Sequence, residues 1–480
     1  MQPVPPIPAE LWDQIPPAAQ AAILALVEQY EQRLQALQRK VDQLTERLNQ
    51  NSTNSSRPPS SDPPHVKRRP PKPSSGRKKG GQPGHARQQR PLVPPEQVKQ
   101  TIPVMPSACR KCGQALHGED PHPRRHQVAE IPPIEAEVTE YRLHRLTCTA
   151  CGTRTSASLP AGVPTGAFGP RLQAWLAILA GGYRLGKRPI RQLAHDLFRL
   201  SISTGMVAKL ERSTADALAQ PMAELEEYVR KQHANVDETS WREAMHKAWL
   251  WVVVTPLVTV FHIAGTRCGK VAAGLLGSAY RHVVTSDRWK AYNGFRRRQY
   301  CWSHLRRDFQ AMIDRQNSGT PIGKGLLELS DRMFVWWHRV RDGTLTRSSF
   351  QVYISGLRAE VHEALIRGAG CGCPKTAATC RNLIAHESRL WTFVWQEGVE
   401  PTNNSAERAL RHAVLWRKGS GGTDSRDGSR FVERILSVRE TCRQQGRGLL
   451  EYLMGCCQAQ LEGRAAPSLL PKGVCRLDVA

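Results

Sequence analysis

The chain has 480 residues, of which 68 are Lys or Arg and 42 are Asp or Glu, so its formal net charge is +26. This length allows roughly two to four folded units, at least one with a sizeable core. The charge favours a polyanionic partner, above all nucleic acid, because each neutralised phosphate releases condensed counterions. Thirteen cysteines without an export signal favour thiols and metal ligation over disulfides.

One apolar stretch, residues 248–265, raises the question of a membrane span. It is interrupted by Thr255-Pro256 and is rich in β-branched residues, which favours two buried strands. The N-terminus has neither the basic region nor the apolar core of a signal peptide. We therefore expect a cytoplasmic, nucleoid-associated protein without a membrane partner.

Residues 9–50 are predicted to form one helix that ends in a coiled-coil seam. Apolar residues follow one another at alternating spacings of four and three, the heptad period; they are Ile23, Val27, Tyr30, Leu34, Leu37, Val41, Leu44 and Leu48. The alternative is an amphipathic helix packed on its own domain. We favour a homo-oligomer, most simply a dimer, because the segment that follows is too polar to supply a core.

Residues 51–100 are predicted to be a basic linker rich in Pro, Ser and Gly, without apolar periodicity. Its first 40 residues carry ten Lys or Arg against the single acidic residue Asp62. One interpretation is a solvated spacer. The other, which we favour, is a basic arm that lies along phosphates, with Lys78 and Lys79 as contacts.

Residues 101–165 are predicted to form a zinc-knuckle domain. They contain two Cys-x-x-Cys-Gly motifs, with ligands Cys109, Cys112, Cys148 and Cys151. Four thiolates in two such pairs suit a tetrahedral structural zinc site, and each glycine lets the backbone turn under the sulfurs. The strand-like stretch 135–147 between the pairs predicts a hairpin that brings the knuckles together.

Residues 166–232 are predicted to be helical and to resemble a helix-turn-helix. A short helix breaks near Leu200 and Ser201, and Ser203 or Thr204 can cap a second helix that exposes Lys209 and Arg212. These two side chains are the predicted DNA contacts. A plain helical hairpin has the same pattern, so both interpretations stay open.

From residue 233 the pattern changes to strands. Asp237 lies in the first strand, and Asp287 falls just past the fourth; the further strands are 247–255, 257–264 and 281–286, with a helix at 268–279. Three antiparallel strands, a helix and another strand are the order of the ribonuclease-H-like fold. Phosphoryl transfer by two divalent ions needs carboxylate ligands, and Asp237 is preferred to Glu238, since neighbours on a strand face opposite ways.

A third carboxylate is expected from the helix that begins near residue 401, in whose first turn lies Glu407. Two structural roles compete with metal binding. Glu407 could close a capping box with Asn404 as the N-cap, or pair with Arg411 one turn on. Spacing alone leaves these alternatives open.

The ordered runs VDETSWR, SDRWKAYNGF, QYCWSHLRRDF and NNSAERALRHAVLWRKGSGG resemble the transposases of insertion-sequence family 66. The upstream runs NSTNSSRPPSSD and GRKKGGQPGH and the paired knuckles are similar to the N-terminal half of that family, so the likeness runs from about residue 30 to 450. The resemblance implies an Asp-Asp-Glu catalytic triad, here Asp237, Asp287 and Glu407, which would hold Mg²⁺ or Mn²⁺. It also implies small accessory proteins of the same element as partners.

The interval between Asp287 and Glu407 is too long for a loop, and we predict a helical insertion at about 315–395. Its tryptophans are expected in a core, with stacking on an unpaired base as the alternative; they are Trp336, Trp337, Trp391 and Trp395. Cys301-x-x-His304 with Cys371-x-Cys373 could form a second zinc site, although buried thiols are the more common outcome. Further phosphate contacts are expected from basic residues near the site, although a solvated basic face is also open; they are His304, Arg306, Arg307, Arg411, Arg417 and Lys418.

Together these patterns predict a multidomain α+β protein with an N-terminal coiled coil, a zinc-knuckle region, a helical DNA-binding segment, a ribonuclease-H-like α/β core at 233–455 with a helical insertion, and a tail at 456–480. The predicted function is a DNA transposase that acts on double-stranded transposon ends and target DNA with Mg²⁺ or Mn²⁺ and Zn²⁺. The alternatives are a DNA-binding regulator or decayed transposase, and a structure-specific nuclease on the same fold.

Overall fold

The structure is a computed structural model that describes residues 7–55, 62, 80, 84, 85 and 91–471. It is a multidomain protein of helices and a mixed sheet. The predicted phosphate contacts Lys78 and Lys79 lie outside the described residues. Among the helices that are described, none combines the length and the apolar character needed to cross a membrane.

The N-terminal region forms two helices, α1 (Ala9–Trp12) and α2 (Pro17–Asn49), where one continuous helix was predicted. The break lies at Pro16, which is extended with φ −57° and ψ 140°. A residue that precedes proline disfavours the helical region, while proline suits the first helical position, so Pro17 both interrupts the chain and starts α2.

Most of the seam of α2 is exposed to solvent. Tyr30 is 56% exposed and Leu48 is 71% exposed, and the four seam residues between them have similar values. Ile23 and Val27 are half-buried. From Tyr30 to Leu48 this face therefore does not pack on the described part of its own chain. The C-terminal end of α2 does contact the rest of the chain, since Glu46 forms ion pairs with Arg315 at 3.1 Å and with Lys375.

The cysteine-rich region contains a small antiparallel hairpin of β1 (Arg145–Thr147) and β2 (Arg154–Ser156). Only the end of the predicted strand 135–147 is therefore a strand, since the described residues before Arg145 have no strand assignment. The hairpin holds the second cysteine pair in its turn and does not connect the two pairs.

Four helices follow: α3 (Pro170–Gly181), α4 (Lys187–Phe198), α5 (Thr204–Ala217) and α6 (Ala219–Val229). The predicted break and cap are confirmed. Arg199, whose φ is +54°, is the C-cap that follows α4, and the Ser203 hydroxyl caps α5 by accepting a hydrogen bond from the Met206 amide at 3.1 Å.

The central sheet has five strands in the order β5-β4-β3-β6-β7. Its elements in chain order are β3 (Ala234–Glu243), β4 (His246–Val254), β5 (Thr259–Ala264), helix α7 (Gly269–Leu276), β6 (Val284–Ser286) and β7 (Arg298–Tyr300). The first three strands are antiparallel, and β6 pairs in parallel with β3 and with β7. The predicted order of three antiparallel strands, a helix and a further strand is confirmed.

Helix α8 (Trp302–Asp314) leads from the sheet into four further helices, α9 (Thr320–Arg341), α10 (Arg347–Ala369), α11 (Pro374–Ala385) and α12 (Thr392–Trp395). They pack around a hydrophobic core of their own. Trp337 and Trp391 belong to this core, Trp336 packs at its edge, and Trp395 is 58% exposed. The core role is thus confirmed for the two buried tryptophans.

The chain returns to the sheet through α13 (Asn404–Ser420), α14 (Arg426–Gln445) and α15 (Leu449–Leu461). Helices α13 and α14 cover one face of β3, β4 and β5, while α3, α5, α6 and α7 share a core with the opposite face. The predicted boundary at residue 455 falls inside α15. Ala466 and Leu469 beyond that helix are also buried, so the packed unit extends at least to residue 469.

Candidate active site and metal-binding residues

The start of helix α13 is attached to strand β3 by side-chain hydrogen bonds. The Asn403 side chain donates to the Val236 carbonyl at 2.9 Å, and the Asn235 side chain donates to the Ser405 hydroxyl. Asn403 is fully buried, so its amide needs such a partner. These bonds place the first turn of α13, with Glu407, beside the strand that carries Asp237.

The same helix start is attached to α8. The backbone amide of Asn403 donates to the Cys301 sulfur at 3.1 Å, and the backbone amide of Trp302 donates to the Pro401 carbonyl at 2.9 Å. The Ser303 hydroxyl donates to the Asn404 side chain at 3.1 Å. Strand β3, helix α8 and helix α13 therefore meet at one point, although they are far apart in sequence.

Asp237 and Asp287 lie on neighbouring strands. Asn235 is opposite Thr285 in the parallel pair of β3 and β6, so each aspartate comes two residues further along its own strand direction. The Asp287 carboxylate accepts a hydrogen bond from the Trp289 amide at 2.9 Å. Alternation along β3 directs Asp237 to the α13 face and Glu238 to the opposite face, as predicted.

The carboxylates share one electrostatic environment. Burial raises the pKa of Asp237 well above its usual range, and the negative charges of Glu238, Asp287 and Glu407 raise it further. Such repulsion is relieved by a cation between the carboxylates, and hard oxygen ligands suit Mg²⁺ or Mn²⁺. The residues present at this point therefore fit a divalent ion.

The surroundings of Glu407 exclude both structural roles weighed for it. The N-cap of α13 is Asn403 and makes no side-chain capping bond, because its amide is bound to β3 instead. Within the described part of the chain, Glu407 forms an ion pair with Arg307 at 3.6 Å and lies 3.6 Å from Nδ1 of His304, and it does not pair with Arg411. The capping box and the Arg411 pair, the two alternatives left open by the sequence, therefore do not form among the described residues.

The buried polar atoms at this point that have no hydrogen-bond partner include Nδ1 of His304 and one carboxylate oxygen of Glu407. They lie with the Cys301 sulfur in a group whose candidate ligand atoms are all within 4.8 Å of one another. Burial raises the pKa of the Cys301 thiol to about 11 and lowers the pKa of His304. The thiol therefore stays protonated near neutral pH, and the imidazole and carboxylate are the better donors to an ion.

That group is the only one of its kind among the residues the structure describes. Cys371 and Cys373 do not join it, so the second zinc site considered from the sequence does not form. The oxygens of Asp237, Asp287 and Glu407 are also not all within 4.8 Å of one another.

The two cysteine knuckles have the same backbone geometry. In each, the backbone amide of the glycine donates to the carbonyl of the first cysteine at 2.9 Å. The backbone amide of that cysteine donates to the carbonyl of the residue after the glycine. Gly113 and Gly152 have φ angles of +76° and +72°, which favour glycine. The four sulfurs are not gathered in one group in the described residues.

Hydrogen bonds to sulfur prepare both knuckles for a metal. Amides of Cys112 and Lys111 lower the pKa of Cys109, and Thr153 lowers the pKa of Cys151. A thiolate is the form that binds zinc, so each knuckle fits half of a Cys₄ site.

Comparison with known families shows which proteins the chain is similar to. Residues 165–430, more than half of the chain, match the family described as "Transposase IS66 family". The chain belongs to this family. Residues 106–152 match the "zinc-finger binding domain of transposase IS66", and residues 9–91 match a family of unknown function. The chain is also similar to the uncharacterized protein y4qI of Sinorhizobium fredii, with 23% identity over 402 residues that cover 75% of this chain and 71% of that protein.

The basic residues predicted to contact DNA in this IS66-family protein fall into two groups. The first group is exposed on the surface, where it can contact DNA; it comprises Lys209, Arg212, Arg411 and Lys418. The others make internal contacts: Arg417 bonds to Thr239 and Ser240, Arg306 pairs with Asp331 at 2.7 Å, and His304 and Arg307 flank Glu407.

Two residues that organise the site were not found from the sequence. Asn403 was overlooked because its neighbour Asn404 looked like the cap. Arg298 on β7 is 1% exposed and donates to the Asp287 carbonyl at 2.9 Å and to the Ser286 hydroxyl at 3.1 Å. An arginine inside a strand next to tyrosines, as in the run RRRQY, was the available signal.

Replacing Cys112 by serine should remove the metal from the knuckles. We expect about one zinc per chain in the purified protein and a value near zero in Cys112→Ser, because structural sites need all four ligands. Zinc content is measured by mass spectrometry. Cys268→Ser, at an exposed cysteine outside the knuckles, is the control and should keep its zinc. Equal zinc in both variants would contradict the Cys₄ assignment.

Replacing Asn403 by alanine should loosen Glu407 from β3. We expect the free energy of unfolding to fall by about 1–3 kcal/mol, because a buried carbonyl loses its partner. The rise in Tm on adding Mn²⁺ should also shrink, since a ligand stabilises only the geometry that binds it. Asn404→Ala, which removes a single part-buried bond, is the matched control. A Mn²⁺ response in Asn403→Ala as large as in the wild type would rule out this role.

Proposed function

We propose that this IS66-family protein is a DNA transposase that cuts at the ends of an insertion sequence and joins the freed 3′-hydroxyls to target DNA. The observation that carries the proposal is the convergence of Asp237, Asp287 and Glu407 at one end of the sheet, with Glu407 freed from any capping role. A protein that only binds DNA has no use for mutually repelling carboxylates, which cost stability.

The sheet order supports a ribonuclease-H-like core. Three antiparallel strands are followed by parallel strands β6 and β7, and α7 makes the crossover. We propose that Asp237, Asp287 and Glu407 would hold the metal ions. When bound, two Mg²⁺ or Mn²⁺ ions would supply an activated water or 3′-hydroxyl and neutralise the leaving oxygen.

The protein's own groups prepare the site. The Trp289 amide holds the Asp287 carboxylate, and Arg298 holds the loop that carries it. Arg307 lies 3.6 Å from Glu407, where it can also meet a phosphate oxygen of the bound strand. Neutral His304 faces Glu407 with an unpaired Nδ1 and can donate to or accept from a group that enters the site.

Recognition of DNA is proposed to lie outside the sheet. Helix α5 follows a capped turn and exposes Lys209 and Arg212, as the recognition helix of a helix-turn-helix does. The zinc knuckles and the basic linker extend the same role to the N-terminal side. Double-stranded transposon ends and target DNA are the proposed partners, with small accessory proteins of the element as further ones.

We also propose that α2 joins two copies of the chain. Its seam has the heptad period, and its apolar side chains are half or more exposed from Tyr30 to Leu48. A second α2 would cover this stripe by knobs-into-holes packing. Two copies would also let one assembly hold both ends of an element.

The catalytic test compares Glu407→Gln and Asp237→Asn with the wild type on labelled DNA that carries the element's ends. We expect end-specific cutting and joining with Mg²⁺, and a loss of more than about 100-fold in both variants, because changing even the residues behind metal ligands costs roughly 10–100-fold. Glu363→Gln, at an exposed glutamate on α10 whose pairing with Arg367 is 3.9 Å long, is the matched control and should retain activity.

Each rival function predicts a different result in that assay. A DNA-binding regulator or decayed copy would bind the ends without cutting them, with Mn²⁺ and accessory proteins also supplied. A nuclease would cut but give no joined product. Wild-type activity in Glu407→Gln would refute the proposed triad.

The oligomer test places a charge in the seam. We expect wild-type protein to show at least twice the chain mass of 53.6 kDa in light scattering after size exclusion, and Leu37→Glu to shift toward one chain, because a buried seam charge is costly. Gln35→Glu adds the same charge outside the seam and should leave the mass unchanged. A wild type that is monomeric at micromolar concentration would rule out the coiled coil.

A further inference from the structure

Beside the carboxylate site, cations and indole rings alternate across the end of the sheet. Arg267 lies between two rings, with its guanidinium carbon 4.9 Å from the centroid of Trp249 and 4.3 Å from that of Trp289. A lysine lies over each ring as well, at 5.4 Å and 5.8 Å. We call this row the cation–π ladder, and its members in order are Lys247, Trp249, Arg267, Trp289 and Lys290.

A buried carboxylate fixes the centre of the ladder. Nε of Arg267 donates to Glu238, whose side chain is 1% exposed and also accepts from the Tyr292 hydroxyl. Neither Nη atom of Arg267 has a hydrogen-bond partner among the described residues, and its side chain is 31% exposed. The guanidinium is therefore held rigidly by one edge while its other donors face outward.

The ladder reaches the catalytic carboxylates through one residue. The amide of Trp289 donates to Asp287, and the ring of the same residue is part of the ladder. Glu238 and Asp237 point to opposite faces of β3, so the ladder occupies the far side of the sheet end and meets the site around the end of β6. A cavity of about 410 Å³ opens beside Arg267 and Lys290.

The charge of the ladder is not balanced by the fold. Three cations face one carboxylate, Glu238, and within the described chain neither lysine forms an ion pair. Both lysines are exposed, so neither is needed to satisfy a buried group. An acidic site that must accept a polyanion gains from cations placed at its border, because they offset the repulsion between phosphate and carboxylates.

We propose that the cation–π ladder binds the phosphodiester backbone of the DNA that flanks the bond to be cut. Lys247 and Lys290 are the outer phosphate contacts, and the Nη atoms of Arg267 form a bidentate contact between them. The indoles keep the three cations at fixed spacing, which reduces the entropy lost when a strand binds. This inference rests on the proposed function, since it names a contact surface of the same active site.

The test measures DNA affinity against salt concentration for Lys247→Ala, Lys290→Ala and the double variant of the full-length protein. The slope of log K against log salt is negative for DNA binding. Replacing a lysine that contacts a phosphate should make this slope less steep by about 0.9 on duplex DNA. The loss should appear on a duplex carrying the element's end and on an unrelated duplex, because a phosphate contact does not read sequence. Lys324→Ala, at an exposed lysine of α9, is the matched control with an unchanged slope.

Lys247→Arg and Lys290→Arg should restore the wild-type slope, which a purely structural loss would not do. If Lys247→Ala and Lys290→Ala give the same salt slope as Lys324→Ala on the end duplex, the proposal that the ladder binds DNA is wrong. Cutting by the wild type separates this failure from that of the proposed function. If the wild type cuts and Asp237→Asn does not, the function stands whatever the slopes show; if nothing cuts, the slopes still decide the role of the ladder.

Discussion

The hydrogen bond from the Asn403 side chain to the Val236 carbonyl joins two segments that are 167 residues apart in sequence. It sets the register between the strand that carries Asp237 and the helix that carries Glu407. Because Asn403 is fully buried, an arrangement that leaves its side-chain NH₂ group without an acceptor is costly. The helices between these segments pack on their own core and have adjoining ends, where Trp302 binds the Pro401 carbonyl. A long insertion between joined ends adds little closure entropy, so it does not disturb the site.

The electrostatics of the site follow from this convergence. Asp237 lies among other carboxylates, and its pKa is raised first by its removal from water and then by the negative charges of Glu238, Asp287 and Glu407. The arginines near Asp237 contact other groups. Arg298 donates to the Asp287 carbonyl, Arg267 pairs with Glu238, and Arg307 pairs with Glu407. No cation in the described chain forms an ion pair with Asp237 itself. The arrangement therefore costs stability, and a divalent ion held by these carboxylates, as we propose, would offset that cost.

Local patterns predicted a large part of this structure. Strand alternation distinguished Asp237 from Glu238, the end of an apolar run placed Asp287, and a serine marked the start of α5. Predictions failed where a distant partner decided the outcome. Asn403 and not Asn404 became the N-cap because β3 binds its side chain, and Arg417 turned inward because Ser240, 177 residues away, accepts its hydrogen bonds. The break at Pro16 is different, since the rule that proline constrains its predecessor could have revealed it from the sequence.

Strand β3 shows how one local rule distributes several functions. Its side chains alternate, so Asp237 faces α13 and the carboxylate site, while Glu238 faces the opposite side and holds Arg267 in the cation–π ladder. Two adjacent acidic residues thus have separate environments and separate partners. A register shift of one residue would exchange them, so that Asp237 would face Tyr292 and Glu238 would face α13. The bonds that join Asn235 and Val236 of β3 to Ser405 and Asn403 at the start of α13 favour this register, and therefore support both surfaces at once.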